Sequence, residues 1–222
     1  MKLLLTSNGL ANETIVKALH ELIGRSFNKT KLAFIPTAAN VEEGDKLWLI
    51  DDLTRCKNLG FAMVDIVDIS ALPKNFWQPR IEEADVLLFG GGNVFHLMYW
   101  LNKSSLSKLL PNLLEERVYI GISAGSMVCS KRILLSQSKR LYYEDIKGKH
   151  KGQRGLGFVN FQIRPHLNNQ YFPKVRAENL KKLAKEIPEP IYALDDGMAL
   201  KVVDERVEVV GEGEYLLFNS NI

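Results

Sequence analysis

The chain has 222 residues, 46% of them hydrophobic and 25% charged, with a formal net charge of +3. That profile suits a globular protein that buries its core without disulfide or metal staples, and it makes no case for a nucleic-acid partner. Cys56 and Cys129 form no metal-spacing cluster and read as free thiols of a reducing compartment, while the opening MKLLLTSNGL lacks the apolar length of a secretory signal. No stretch approaches the roughly 20 apolar residues of a membrane span, so the expected location is cytoplasmic, with no membrane partner.

In chain order, KLLLTS (2–7) has the pattern of a buried strand. The next segment carries apolar residues at Ile15, Val16, Leu19, Leu22 and Ile23, a helical spacing, with Asn12 or Thr14 near its start. KLAFIPT (31–37) is strand-like and stops at Pro36, and a helix is expected from about Glu42 to Leu59, ended by Gly60. MVDIVDIS (63–70) alternates as a half-buried strand does. A short helix near 79–83, the strand VLLFG (86–90), a long helical region from Val94 to Glu116 and the strand RVYIGI follow. Residues 132–156 are polar, basic and Gly-containing, which predicts a loop or irregular β excursion. Within them, 139–154 is clearly basic, either a solvated loop or a patch steering an anion or substrate. GFVNFQIRPH (157–166) returns to strand, a helix runs from about Lys174 to Glu186, and the C-terminus reads as short strands with turns at DDG, DER and GEG.

Strands alternating with helices of this length predict an α/β fold in three layers. A mostly parallel sheet would carry helices on both faces and end in short C-terminal strands or hairpins. Nothing divides the chain, so a single domain over 1–222 is expected.

In such sheets ligands gather at the carboxyl ends of the strands. The residues there are GGGN (90–93), GISAGS (121–126), RPH (164–166) and DDG (195–197). Ser123 stands between Gly121 and Gly125 where an apolar strand ends. A nucleophile elbow needs that arrangement, because a strained turn closes only over tiny residues two positions away on either side. The competing reading is an ordinary Gly/Ser turn. GGGNVF matches neither a dinucleotide fingerprint nor a phosphate loop with its lysine, and Asn93 suits a helix cap. GGGN then reads either as a generic strand–helix turn or as the source of an oxyanion donor, the Gly92 N–H, facing the N–H of Ala124.

A serine nucleophile needs a base. His20 falls within a surface helix, His150 in the basic loop, and His96 in the first turn after GGGN as a minor candidate. His166, at a strand end behind Pro165, is the best placed. For the orienting acid two schemes stand: Asp196, at a strand end before Gly197, and Asp145, which would give the chain order of α/β-hydrolases. Neighbouring Asp195 and Asp196 point to opposite faces, so only one can aim inward. Cys129 is expected to pack.

Taken together and in order, FGGGNVFHLM, YIGISAGSMV, RPHLNN and ALDDGMAL resemble the dipeptidase E (α-aspartyl dipeptidase) group of serine peptidases, with cyanophycinase a more distant cousin. The resemblance extends over essentially the whole chain. It implies a sheet like that of class I glutamine amidotransferases, with Ser123 as nucleophile, His166 as base, Asp196 as acid, and Gly92 and Ala124 as oxyanion donors. Two departures accompany it. The family's acid is a Glu before Gly, so Asp196 is one methylene short, which predicts a closer backbone or a weaker bond to His166. Around the nucleophile, Ile122 replaces an aromatic residue, and Ser126 and Met127 replace a small-polar pair.

These readings converge on a serine peptidase that hydrolyses short peptides through an acyl-enzyme, with no metal or organic cofactor. An N-terminal aspartate in the substrate would need a cation; Arg164, Arg154 and Arg140 are available, with Arg164 and Asn93 as candidate substrate-binding residues. A homodimer is compatible with the sequence. Two other functions fit the same residues: an esterase or amidase using Ser123 on non-peptide acyl groups, and a catalytically silent binding domain that keeps the glycine turns for folding.

Overall fold

The computed structural model of the protein describes residues 1–142 and 153–220. Five of the apolar runs form parallel strands: β1 (Lys2–Thr6), β2 (Lys31–Ile35), β3 (Met63–Ile66), β4 (Val86–Phe89) and β5 (Val118–Ile122). Successive side chains of a strand point to opposite faces, and here both faces are apolar. Leu3, Leu5, Phe89 and Tyr119 enter one core; Leu4, Leu88 and Ile120 enter the other. Each leucine buried in this way contributes about 2 kcal/mol. Helices α1 (Glu13–Ile23) and α2 (Leu47–Asn58) cover the second core, and α3 (Lys74–Glu83), α4 (Val94–Lys103) and α5 (Leu106–Leu113) cover the first. Three layers result, because a sheet apolar on both sides must be covered on both sides.

After β5 come α6 (Ala124–Met127), β6 (Arg132–Ile133), α7 (Leu135–Tyr142), β7 (Gln153–Arg154), β8 (Gln162–Arg164), α8 (Ala177–Ala184), β9 (Ile191–Leu194), β10 (Met198–Val203), β11 (Arg206–Gly211) and β12 (Tyr215–Phe218). The main sheet has the order β11-β10-β1-β5-β4-β2-β3, with β10 and β11 antiparallel at one edge. A second sheet, β12-β9-β8, pairs β8 and β9 in parallel, with Arg164 opposite Ala193. That register brings the residues just beyond the two strands, His166 and Asp196, side by side. Among the described residues, no helix is long and apolar enough to cross a membrane.

Several element boundaries differ from the sequence reading, each for a local reason. The helix expected from Glu42 starts at Leu47, because Gly44 turns with φ +86° and the Asp45 carboxylate accepts from Leu47 N. The long helical region from Val94 is two helices, broken where Ser105 takes φ +64°. The short helix near 79–83 extends back to Lys74 and contains Pro79. The strand expected over 63–70 ends at Ile66, and that over 157–166 is confined to Gln162–Arg164, since Phe158 N and Val159 N donate to Cys129 O instead of a sheet ladder. The polar segment after Arg132 holds a helix, α7. Its inward residues include Gln137 and Ser138 beside Leu141, so no apolar stripe announced it.

Candidate active site

Ser123 follows the last residue of β5 at φ +48° and ψ −102°, a conformation that side-chain-bearing residues seldom adopt. The two glycines make it feasible. A Cβ at Gly121 would sit 2.5 Å from Ser126 N, and one at Gly125 would sit 2.0 Å from Phe89 O. The turn is tied to β1: Ser123 N donates to Thr6 O (3.0 Å), and Ser126 Oγ lies 2.8 Å from both Thr6 O and Gly121 O. Strain of this kind persists only where the surroundings over-determine it.

His166 lies 2.9 Å from Ser123 Oγ through Nε2 and 2.7 Å from Asp196 Oδ1 through Nδ1. The proton therefore belongs on Nδ1, leaving Nε2 to accept from the serine hydroxyl. Burial raises the pKa of Asp196, but bonds from His166, Asn169 and Ser7 outweigh it and hold the carboxyl below its ordinary value. The shorter acid has thus not lengthened its bond to the imidazole. Asp195 turns away, as strand alternation requires, and its carboxylate holds the following turn by accepting from Gly197 N and Glu214 N.

Three contributors were not singled out from the sequence. Ser7, the residue after β1, donates to Asp196 Oδ1 (3.1 Å) and accepts from His166 N (2.8 Å). Asn169 Nδ2 donates to Asp196 Oδ2. Phe172 stacks on the His166 ring with centroids 4.3 Å apart and planes 12° from parallel. Ser7 carried a usable signal, since it too stands at the carboxyl end of a buried strand.

Gly92 and Ser123 line one cavity of about 720 Å³. Gly92 has φ +122°, and a Cβ there would lie 2.4 Å from Ala38 O, so the backbone passes close to the β2–α2 connection. Ala124 follows the nucleophile and is buried. Asn93 acts as the cap of α4, its Oδ1 accepting from Phe95 N and His96 N, and it does not line the cavity. Arg164 is displaced further from its expected role. It is 4% exposed, donates to Gln137 Oε1 (2.7 Å) and Ile163 O (3.0 Å), and is absent from the cavity wall. A guanidinium at a strand end can face either side, and here α7 supplies its acceptor. Arg140 pairs with Glu186, away from the site. His96 packs edge-on to Trp100 and His20 to Phe27. Cys129 is fully buried, its thiol pushed up to about 12 by burial. Asp145, His150 and most of the basic segment 139–154 lie outside the described residues.

A strained serine, an imidazole and a carboxylate in one hydrogen-bonded line form an arrangement able to deliver an alkoxide to a carbonyl carbon and return the proton to a leaving group. Comparison with known proteins leads to peptidases. Peptidase E of Shewanella oneidensis is 31% identical over 160 residues, covering 68% of this chain and 65% of that protein. Peptidase E of a Nostoc species is 31% identical over 144 residues, covering 62% and 57%. The chain thus aligns with somewhat less than two thirds of the length of these relatives. Two solved structures share the fold. A candidate peptidase E from Listeria monocytogenes EGD-e superposes with a TM-score of 0.78 at 24% identity, over 96% of this chain and 98% of that one. A peptidase from an acI-B1 actinobacterium gives 0.64 at 19% identity, over 98% and 96%. Residues 3–210, which include Ser123, His166 and Asp196, match the family model of Peptidase family S51, and the chain belongs to that family.

Proposed function

We propose that the protein is a serine peptidase that hydrolyses dipeptides and similarly short peptides. The observation that carries this reading is the unbroken line Ser123–His166–Asp196, 2.9 Å and 2.7 Å, built on a serine at φ +48° inside the cavity. Ser123 Oγ attacks the scissile carbonyl while His166 Nε2 takes its proton. The carbonyl oxygen, now negative, is received by the amides of Gly92 and Ala124, each worth on the order of 100- to 1,000-fold in rate. His166 then donates the proton to the leaving amine, and water repeats the sequence to free the acyl group. Asp196 keeps the Nδ1–H tautomer and stabilises the imidazolium.

The test is labelling by a fluorophosphonate probe alongside turnover of a dipeptide panel. Labelling and turnover should both vanish in Ser123→Ala and His166→Ala and fall steeply in Asp196→Ala. Turnover that survives in Ser123→Ala would refute the assignment. Loss in Asp145→Ala with Asp196→Ala unaffected would move the acid.

A further inference from the structure

The imidazole of His166 has a third contact besides Ser123 and Asp196. One face of the ring is covered by Phe172, with centroids 4.3 Å apart and planes 12° from parallel. Tyr142 in turn meets Phe172 edge-on, at 5.9 Å and 75°. The Tyr142 hydroxyl donates to Pro165 O at 3.2 Å, one residue before His166, so the contacts close a circle from the strand end back to the imidazole. All three rings line the cavity that Ser123 also lines.

The stack is fixed from the backbone. Phe172 N donates to Asn169 O (3.3 Å), and Phe172 O accepts from Val175 N (2.9 Å) and from Nη1 of Arg176 (3.1 Å). Nη2 of Arg176 donates to Asn169 O (3.0 Å) and ties the same loop. The backbone of His166 is held as well, its N–H bonded to Ser7 Oγ at 2.8 Å. What the backbone leaves open is the plane of the imidazole, because the last torsion of a histidine is broad.

In the resting site two hydrogen bonds fix that plane, one to Ser123 and one to Asp196. In the reaction proposed above, an acyl group on Ser123 Oγ removes the first, since the oxygen has lost its proton and is bonded to carbon. The ring is then tethered through Nδ1, and one bond fixes a point on a ring but not its plane. Nε2 must still face the acyl carbon. There it takes a proton from water as the water oxygen attacks, and returns it to Oγ as the Oγ–acyl bond breaks. A flat ring 4.3 Å away blocks the swing out of that line.

We propose that Phe172, backed by Tyr142, is a positioning residue that holds the His166 imidazole in plane while Ser123 is acylated, and so serves hydrolysis of the acyl-enzyme more than its formation. That role rests on the peptidase reading above and deepens it. An aromatic residue packed there for stability alone would weigh equally on both half-reactions.

Stopped-flow hydrolysis of p-nitrophenyl acetate separates the two, because the burst of nitrophenolate reports acylation and the steady state after it reports deacylation. The ester is uncharged, so the carboxylates of Glu42, Asp45, Asp51 and Asp52 that also line the cavity stay out of the comparison. Phe172→Leu keeps an apolar side chain and loses the flat face. Its steady-state rate should fall about tenfold while the burst rate stays within about twofold of wild type, so that kcat and KM fall together. Loss of a substrate contact would instead raise KM. Phe172→Tyr should restore both rates, and Tyr142→Leu, which leaves Phe172 present, should show the same split by less. Equal losses in burst and steady state, no loss in either, or a Phe172→Tyr protein as slow as Phe172→Leu would overturn the proposal. Fluorophosphonate labelling of the wild type tells its failure from that of the peptidase reading. A labelled wild type whose variants show no split loses only the role of Phe172, whereas a wild type neither labelled nor acylated by the ester loses the reaction on which that role depends.

Discussion

Replacing Asp52 by asparagine should stabilise the protein, by an amount that depends on pH in a defined way. The wild-type carboxyl moves from 3.8 to about 7 on folding, chiefly through burial. A rise of that size places about 4 kcal/mol on the ionised folded form. Between those two values the folded protein holds a proton that the unfolded chain has released, so wild-type stability falls as pH rises through the window. Below about pH 4 both states are protonated and the penalty is absent. Above about pH 7 it is present in full. Asparagine keeps the shape and cannot ionise. The variant should therefore match wild type near pH 4, gain ground near pH 6 and lead by about 2–4 kcal/mol near pH 8, in urea unfolding with unchanged m-values. Titrations common to both proteins cancel in the difference. A lead that is the same at all three pH values, or a wild type more stable than the variant near pH 8, would show that Asp52 is not held as a poorly compensated buried carboxylate.

Other substitutions probe the line Ser123–His166–Asp196 and the turn that carries it. Ser7→Ala removes the hydroxyl shared by Asp196 Oδ1 and His166 N; kcat should fall about 10- to 100-fold with KM little changed, and urea unfolding should show a loss of about 1–3 kcal/mol from the orphaned amide. Asp196→Asn leaves the shape of the site but favours the wrong imidazole tautomer, so kcat should fall by about 10⁴ in steady-state dipeptide assays. Gly125→Ala drives a methyl to 2.0 Å from Phe89 O. It should act chiefly on the fold, destabilising by about 3 kcal/mol in urea unfolding.

How much of this was legible in the sequence depended on how local the determinant was. The strained turn at Ser123 was readable because the two glycines it needs flank the serine two positions away on either side. His166 and Asp196 were readable because each directly follows a strand, and the parallel pairing of β8 with β9 then aligned them. Asn169 and Phe172 were not, since their places depend on the path of the loop after His166, where Asn168 takes φ +62°. Arg164 was misjudged because a charge in a sequence is read as exposed. Its acceptor, Gln137, lies on a helix whose inward face is itself polar. The carboxylates of Glu42–Asp52 fell in a segment read only as a helix. They reach the site because β2 runs beside β4, so the connection into α2 passes the GGGN turn, with Asn93 N donating to Ala38 O.

The end of β1 has a further consequence, for the order in which the protein acquires activity as it folds. Thr6 and Ser7 form a single reference point for residues drawn from three distant parts of the chain. Ser7 is 189 positions from Asp196 and 159 from His166, and Thr6 is 120 from the Ser126 hydroxyl beside it. Contacts of such separation form slowly, after the loops between them have closed. During refolding, helical signal should therefore return first and the ability to react with a fluorophosphonate last, once both the first strand and the final third of the chain have docked. A chain still being synthesised would present Ser123 before His166 and Asp196, the imidazole and carboxylate that line up with it, have been made.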